Sequence, residues 1–300
     1  MDIKKITMVG NGQIGQALVF LLNKSGQKYN IEIYDKDESK NESHKTLKEC
    51  LVGADFVFLC IPSWFLTETL IEVSKCITSE TILISISKGL NANSSESVDQ
   101  MIEKYAKNNK YALLSGPMFA KEILKDKMSF GVLASKNKEV FEKISLLFKE
   151  TKLKLEYSRK VHSIALSGVL KNVYTLAISI IDSSLEDNNV KGYFSARGIK
   201  EMEQIMKMLW LDKKIILGTS GLGDFVATLS SEHSQNRKVG TDISTMGKTY
   251  LKSEGLVSLP PLIKMIGKKY KKLPMLCMLE RIIVEGKDSK SEIHDFLKEI

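Results

Sequence analysis

An α/β fold, with a parallel, doubly wound sheet in the N-terminal part and an all-helical C-terminal part, is what this 300-residue sequence predicts. Three observations carry that prediction. Short runs of branched apolar residues alternate with amphipathic stretches from Ile3 to about Tyr157, the succession that builds a parallel sheet because each crossover helix returns the chain to the same edge. Polar, glycine-rich loops directly follow several of those runs. From Arg159 onward the strand pattern stops, and apolar residues recur at the 3, 4, 7 spacing of buried helices. The division predicted is 1–157 for the first domain and 158–300 for the second, with no repeat, low-complexity tract or extended linker between them.

The first run, Ile3 to Val9, leads into Gly10-Asn11-Gly12-Gln13-Ile14-Gly15 and an amphipathic stretch through Leu22. This is a GxGxxG between a strand and a helix. Its first glycine allows the tight turn, the second lets the backbone approach a pyrophosphate, and the third lets the helix pack on the strand, so that helix amides face the phosphates. A second strand, Ile31 to Tyr34, ends at Asp35, the spacing at which an acid accepts bonds from the ribose hydroxyls of NAD. Gly10, Gly12, Gln13, Ile14, Gly15 and Asp35 are therefore candidate cofactor-binding residues of a Rossmann-type domain. Asp35 favours NAD, while Lys36 and Lys40 keep NADP open.

The alternation continues with strand Asp55 to Ile61, helix Phe65 to Lys75, strand Thr81 to Ser85, helix Ser94 to Lys107 and strand Tyr111 to Leu114. Pro62-Ser63, Ser87-Lys88-Gly89 and Ser115-Gly116-Pro117 follow the C-terminal ends of three of these strands, where ligands bind in open α/β sheets. Each could be a plain turn, but three in register point to a site. Strands Ser129 to Ala134 and Lys152 to Tyr157, around helix Lys138 to Lys149, complete the domain.

Helical periodicity then runs through Ile164 to Leu185, Ser195 to Leu211, Asp242 to Lys252, Pro261 to Tyr270 and Ser289 to Ile300. In the first of these, Lys171 and Asn172 interrupt an apolar face formed by Leu166, Val169, Leu170, Val173, Leu176, Ala177 and Ile180. A lysine in such a helix either reaches solvent along its stem or meets a partner inside. His162, just ahead of it, is a competing proton carrier or a structural histidine. His44 and His233 stand in no motif.

The net charge of +8 admits nucleic acid or an anionic membrane, yet the lysines lie among interleaved glutamates rather than clustering with aromatics, so no nucleic-acid partner is expected. Only four of the 44 basic residues are arginine: Arg159, Arg197, Arg237 and Arg281. Cys50, Cys60, Cys76 and Cys277 are scattered without a CxxC pair, which predicts core thiols and no zinc site or other metal. The start shows no leader pattern, and no window approaches ~18 uncharged apolar residues, so a cytoplasmic protein without membrane insertion is expected.

Ser87 to Gly89 (SKG), Ser115 to Glu122 (SGPMFAKE), Leu170 to Val173 (LKNV), Ala196 to Met202 (ARGIKEM), and GLGD followed by SQNR within Gly221 to Arg237 together resemble the NAD(P)-dependent glycerol-3-phosphate dehydrogenase family. Ser253 to Leu262 (SEGLVSLPPL) is similar to that family's VEG segment, and the match runs from Gly10 to about Pro274. The resemblance implies reduction of dihydroxyacetone phosphate to sn-glycerol 3-phosphate, a step that supplies glycerophospholipid precursors, by a homodimer. It implies Lys171 as general acid/base, with Lys88, Gly116, Asp224 and Asn236 lining the substrate. Lys88, Ala120 and Glu254 would meet the cofactor. The chemistry is coherent, since a ketone reduced by hydride needs a proton donor at the developing alkoxide, and an ammonium also stabilises that charge.

The chain departs from the family pattern at Met118, where a serine or threonine is usual, and at Gln235, where an arginine clamps the substrate phosphate. Its segment between Asp35 and Gly53 is short and lacks an LPG. Arg237 and Lys191 are the cations that could fill in for the arginine. Two rival readings remain at this stage: a related β-hydroxyacid or ketopantoate-type reductase, and a catalytically silent dinucleotide-binding sensor or interaction dimer.

Overall fold

The computed structural model describes residues 3–41, 44–231 and 234–298. The chain divides into two compact units, Met1–Lys88 with Ser97–Ala165, and Gly89–Glu96 with Leu166–Ile300. The change of unit thus falls at 165/166 rather than 157/158, and a short excursion, residues 89–96, belongs to the second unit.

The first unit holds a seven-stranded sheet in the order β2-β1-β3-β4-β5-β6-β7. The strands are β1 (Lys5–Val9), β2 (Asn30–Tyr34), β3 (Phe56–Leu59), β4 (Ile82–Ser85), β5 (Tyr111–Ser115), β6 (Ser129–Ala134) and β7 (Leu153–Ser158). Helices α1 (Gln13–Lys24), α2 (Leu47–Leu51), α3 (Ser63–Val73), α4 (Val98–Tyr105), α5 (Ala120–Ile123) and α6 (Lys138–Leu147) connect them. β1 to β5 are parallel, with Ile6 beside Ile31 and Phe56. β6 runs antiparallel to β5 and parallel to β7, which corrects the expectation of a wholly parallel sheet. The connection through residues 116–128 carries only the one-turn α5, so the chain turns back from the edge it has reached.

β3, β4 and β5 are buried along their whole length, as strands covered on both faces must be. One core runs from Ile6, Met8 and Phe58 through Leu18, Leu22, Leu114 and Leu133 to Ile144 and Phe148. Met118 lies in this core, its sulfur against Gly131. Helix α4 begins at Val98 rather than Ser94, because the Asn91 side chain accepts from the amides of Asn93 and Ser94 and folds that stretch into a turn.

The second unit is helical: the greater part of α7 (Val161–Leu185), then α8 (Asn188–Met208), α9 (Asp224–Ser230), α10 (Gln235–Met246), α11 (Glu254–Ile266), α12 (Pro274–Ile283) and α13 (Ser289–Lys298). α7 passes the length and mean-hydropathy test for a membrane span even though Lys171 interrupts its uncharged run, and its apolar window is wholly buried inside the protein. Helix α10 starts at Gln235, seven residues before the expected Asp242, because Ser234 caps it through the Arg237 amide. Gly240 hides that start in the sequence. A Cβ there would lie 2.6 Å from the Ser179 side chain, so the glycine marks close packing on α7, not a helix end. α11 likewise begins at Glu254, capped by Ser253, and runs through Pro260 and Pro261, as the packing of buried Leu259 and Leu262 outweighs proline's cost. Cys50 and Cys60 are buried as expected, Cys76 and Cys277 only partly, and all four are free thiols.

Candidate functional site

The first unit carries a cleft over its glycine-rich loop. Gly10 adopts φ +106°, and a Cβ there would lie 2.6 Å from the Cys60 carbonyl, while one on Gly15 would run into the Gly10 carbonyl. Gly12, by contrast, faces open space with nothing within 4 Å, and no side chain caps the first amides of α1. Such an arrangement fits a pyrophosphate held by main-chain N–H groups at a helix N-terminus. Gln13, Ile14 and Gly15 form the first turn of that helix.

Asp35 follows the end of β2 and accepts from the Asn11 amide at 2.7 Å and the Asp37 amide at 2.9 Å. The Asn11 side chain reaches on to the Lys40 carbonyl at 2.8 Å, latching the loop after β2 to the glycine loop. The resulting cleft of about 540 Å³ is bounded by Gly10, Gly12, Asp35, Pro62, Phe65 and the α3 face behind them, a size in the range of small-molecule sites. At the same sheet edge the Lys88 ammonium donates to the Gly116 carbonyl at 3.4 Å, so two of the predicted substrate residues meet. Ala120 opens α5 nearby in the chain.

In the second unit, Lys171 is 6% exposed, which excludes a lysine snorkelling to solvent. Its ammonium lies 3.4 Å from the Asp224 carboxylate and 3.3 Å from the Thr228 hydroxyl. Asp224 is itself buried at the start of α9, immediately after a wide π-type turn, Thr219–Gly223. Ser167, one turn before Lys171 on α7, donates to the Ser220 carbonyl and pins that turn in place. Asn172 accepts from the Asn236 side chain at 3.1 Å, and Asn236 in turn accepts from the Gly255 amide at 3.1 Å. LKNV, GLGD, SQNR and SEG, distant in sequence, thus converge on one cluster of buried polar groups.

Thr228 was not singled out from the sequence. It stands four residues after Asp224 on one helical face and accepts from the same ammonium. The glycines of GLGD make the stretch read as a turn, which concealed the i, i+4 relation. Glu254, the first residue of α11, is half-buried beside Gly255. Gln235 is exposed at the first position of α10. Lys191 is held by Asp182 at 2.8 Å, whereas the Arg237 guanidinium, in the first turn of α10, has no hydrogen-bond or ion-pair partner among the described residues.

His162 is set apart from this cluster. It belongs to the first unit, where its Nδ1 lies 2.8 Å from the buried Asp99 carboxylate and 3.3 Å from the Ser97 hydroxyl. The bond to Asp99 raises the imidazole pKa against the opposing effect of burial. His44 adopts a positive φ, and His233 lies outside the described residues. No cluster of three or more metal-ligating side chains occurs among the described residues.

Residues 37–141 match the sequence model of the NAD-dependent glycerol-3-phosphate dehydrogenase N-terminus, and residues 160–294 that of the C-terminus. The chain belongs to the NAD-dependent glycerol-3-phosphate dehydrogenase family. Among curated relatives, the glycerol-3-phosphate dehydrogenase [NAD(P)+] of Clostridium tetani is 27% identical over 99% of this chain and 93% of its own length. That of Fusobacterium nucleatum is 28% identical over 98% and 96%. The fold matches the Coxiella burnetii glycerol-3-phosphate dehydrogenase structure with a TM-score of 0.88 at 21% identity, covering 98% of this chain and 99% of that one. A ketopantoate reductase from Ralstonia eutropha superposes less well, with a TM-score of 0.60 at 12% identity over 96% and 99%. The dehydrogenase family is therefore favoured over the ketopantoate-type rival, and with it a nicotinamide dinucleotide as cofactor.

Proposed function

We propose that the protein interconverts dihydroxyacetone phosphate and sn-glycerol 3-phosphate, and that Lys171 is its general acid/base. The observation that carries this reading is a buried ammonium on α7 facing a buried carboxylate and a hydroxyl on α9. When bound, the nicotinamide dinucleotide supplies the hydride for ketone reduction and accepts it in the reverse direction. Residues of the chain do the rest. The Lys171 ammonium donates a proton to the oxygen that becomes an alkoxide at C2, and the resulting amine retakes a proton from the alcohol when the reaction runs backward. Asp224 keeps the group charged and oriented between turnovers, and Thr228 fixes it from a second side.

Lys88, Gly116, Asn236 and Arg237 line the substrate in this reading. Arg237 supplies the charge toward the phosphate that Gln235 lacks, since a neutral amide binds a phosphate more weakly than a cation does. Gly10, Gly12, Gln13, Ile14, Gly15, Asp35, Lys88, Ala120 and Glu254 serve the cofactor. A cytoplasmic homodimer that feeds glycerophospholipid synthesis belongs to the same reading, and the burial of α7 inside the protein supports a chain without membrane insertion.

The test is NADH oxidation with a panel of phosphorylated and unphosphorylated ketones, alongside NADH binding without substrate. Turnover confined to dihydroxyacetone phosphate is expected. NADH binding with no turnover of any ketone would instead identify a silent dinucleotide-binding protein.

A further inference from the structure

We infer that the cofactor cleft is built to reject a 2′-phosphorylated dinucleotide, and that Glu68 and Glu72 of α3, together with the Asp37–Lys40 pair, set that choice alongside Asp35. The inference rests on the proposed role of this cleft as the dinucleotide site.

The face of α3 turned to the cleft is Phe65, Glu68, Thr69 and Glu72, at the 3, 4, 7 spacing of a single helical stripe. Two glutamates four residues apart on one stripe repel each other and weaken the helix slightly. Both are exposed, and neither is paired with a cation among the described residues. Tyr34, which also lines the cleft, has its phenol pKa raised first by burial and then by the Glu72 and Asp35 charges.

The cations on the cleft are Lys36 and Lys40, and Lys40 is taken: its ammonium lies 2.7 Å from the Asp37 carboxylate, and its carbonyl is tied down by Asn11. Four carboxylates therefore line the cleft against two ammoniums, and once the Asp37–Lys40 pair is set aside three carboxylates face Lys36 alone. A ribose bearing hydroxyls meets acceptors there. A ribose bearing a doubly charged phosphate meets uncompensated negative charge, and like charges at close range across a binding surface are strongly disfavoured.

The experiment is equilibrium binding of NADH and of NADPH to the full-length chain, read by nicotinamide fluorescence with no ketone present. The protein is expected to bind NADPH at least about tenfold more weakly than NADH, a gap that narrows as salt rises. The double variant Glu68→Gln/Glu72→Gln should lower the ratio of the two dissociation constants by roughly tenfold, and Asp37→Asn, which keeps the turn but releases Lys40, by several-fold. All three side chains are exposed, so these isosteric changes leave the fold in place. Near-equal binding of the two nucleotides by the unaltered protein, or a ratio that neither variant moves, overturns the inference while leaving the dehydrogenase reading intact. Failure to bind either nucleotide overturns both.

Discussion

Helix α7 presents two buried polar groups three residues apart, Lys171 and Tyr174, and each meets a buried carboxylate on another helix. The Tyr174 hydroxyl donates to Glu201 at 2.8 Å, and the same carboxylate accepts from the Met275 and Leu276 amides at 2.8 and 3.1 Å, capping α12. Burial raises the pKa of Glu201 and pushes the Tyr174 phenol well above its usual value. Around Lys171 the distances are longer, 3.4 Å to Asp224 and 3.3 Å to Thr228. In the proposed reading, the difference separates scaffold from chemistry. A carboxylate saturated by short bonds at a helix N-terminus fixes the position of α7. An ammonium facing a carboxylate at 3.4 Å and a hydroxyl at 3.3 Å in a buried site is the arrangement a proton donor to a ligand requires.

If that contrast is right, changes on the two sides should separate activity from stability. Short of removing Lys171 itself, the largest effect is expected at Asp224→Asn, which should lower kcat by about 10²-fold with the protein still folded, because an orienting charge is lost and the side chain's shape is kept. Glu201→Ala should do the reverse. Three buried donors lose their acceptor and a void opens, costing about 3 kcal/mol in urea unfolding, while kcat per folded molecule stays within about threefold. A smaller change is expected at the substrate end, where Gln235→Arg should lower the apparent KM for dihydroxyacetone phosphate by up to about tenfold and leave unphosphorylated ketones unaffected.

The smallest effect concerns His162, which is tied to Asp99 and sits outside both polar clusters. Its pKa is raised in the folded protein. Its stabilising contribution is therefore complete below the unfolded value of 6.5 and disappears as pH rises through the folded value. The gap in Tm between the unaltered protein and His162→Asn should be widest near about pH 6 and closed by about pH 9. A gap that widens with pH would show that the Asp99 bond does not govern the imidazole.

Much of this was legible in the sequence because the signals were local. GxGxxG and the acid after β2 depend on one turn and one strand, and the run around Lys171 depends on helical period alone. The convergence of Lys171, Asn172, Asp224, Asn236 and Gly255 was available only through family resemblance, since four helices must pack before those groups meet. Contacts also misled the local reading. The helix read from Asp242 starts at Gln235 and holds Gly240 where α10 approaches α7 closely, and Pro261, read as a helix start, lies inside α11. The reversal at β6 was hidden because residues 116–128 spell neither a long crossover helix nor a tight hairpin turn. Glu201 was visible only as one residue of ARGIKEM, and its role was hidden because its partners lie 27 residues behind, at Tyr174, and more than seventy ahead, at the start of α12.

The most direct measurement is turnover and NADH affinity in Lys171→Met, which keeps the apolar stem inside the helix face and removes only the ammonium. The account predicts kcat for dihydroxyacetone phosphate lower by ~10²–10⁴-fold, with NADH binding and urea midpoint close to those of the unaltered protein. Wild-type turnover in a folded Lys171→Met protein would contradict it, and would make the buried ammonium a structural partner of Asp224, as Tyr174 is of Glu201.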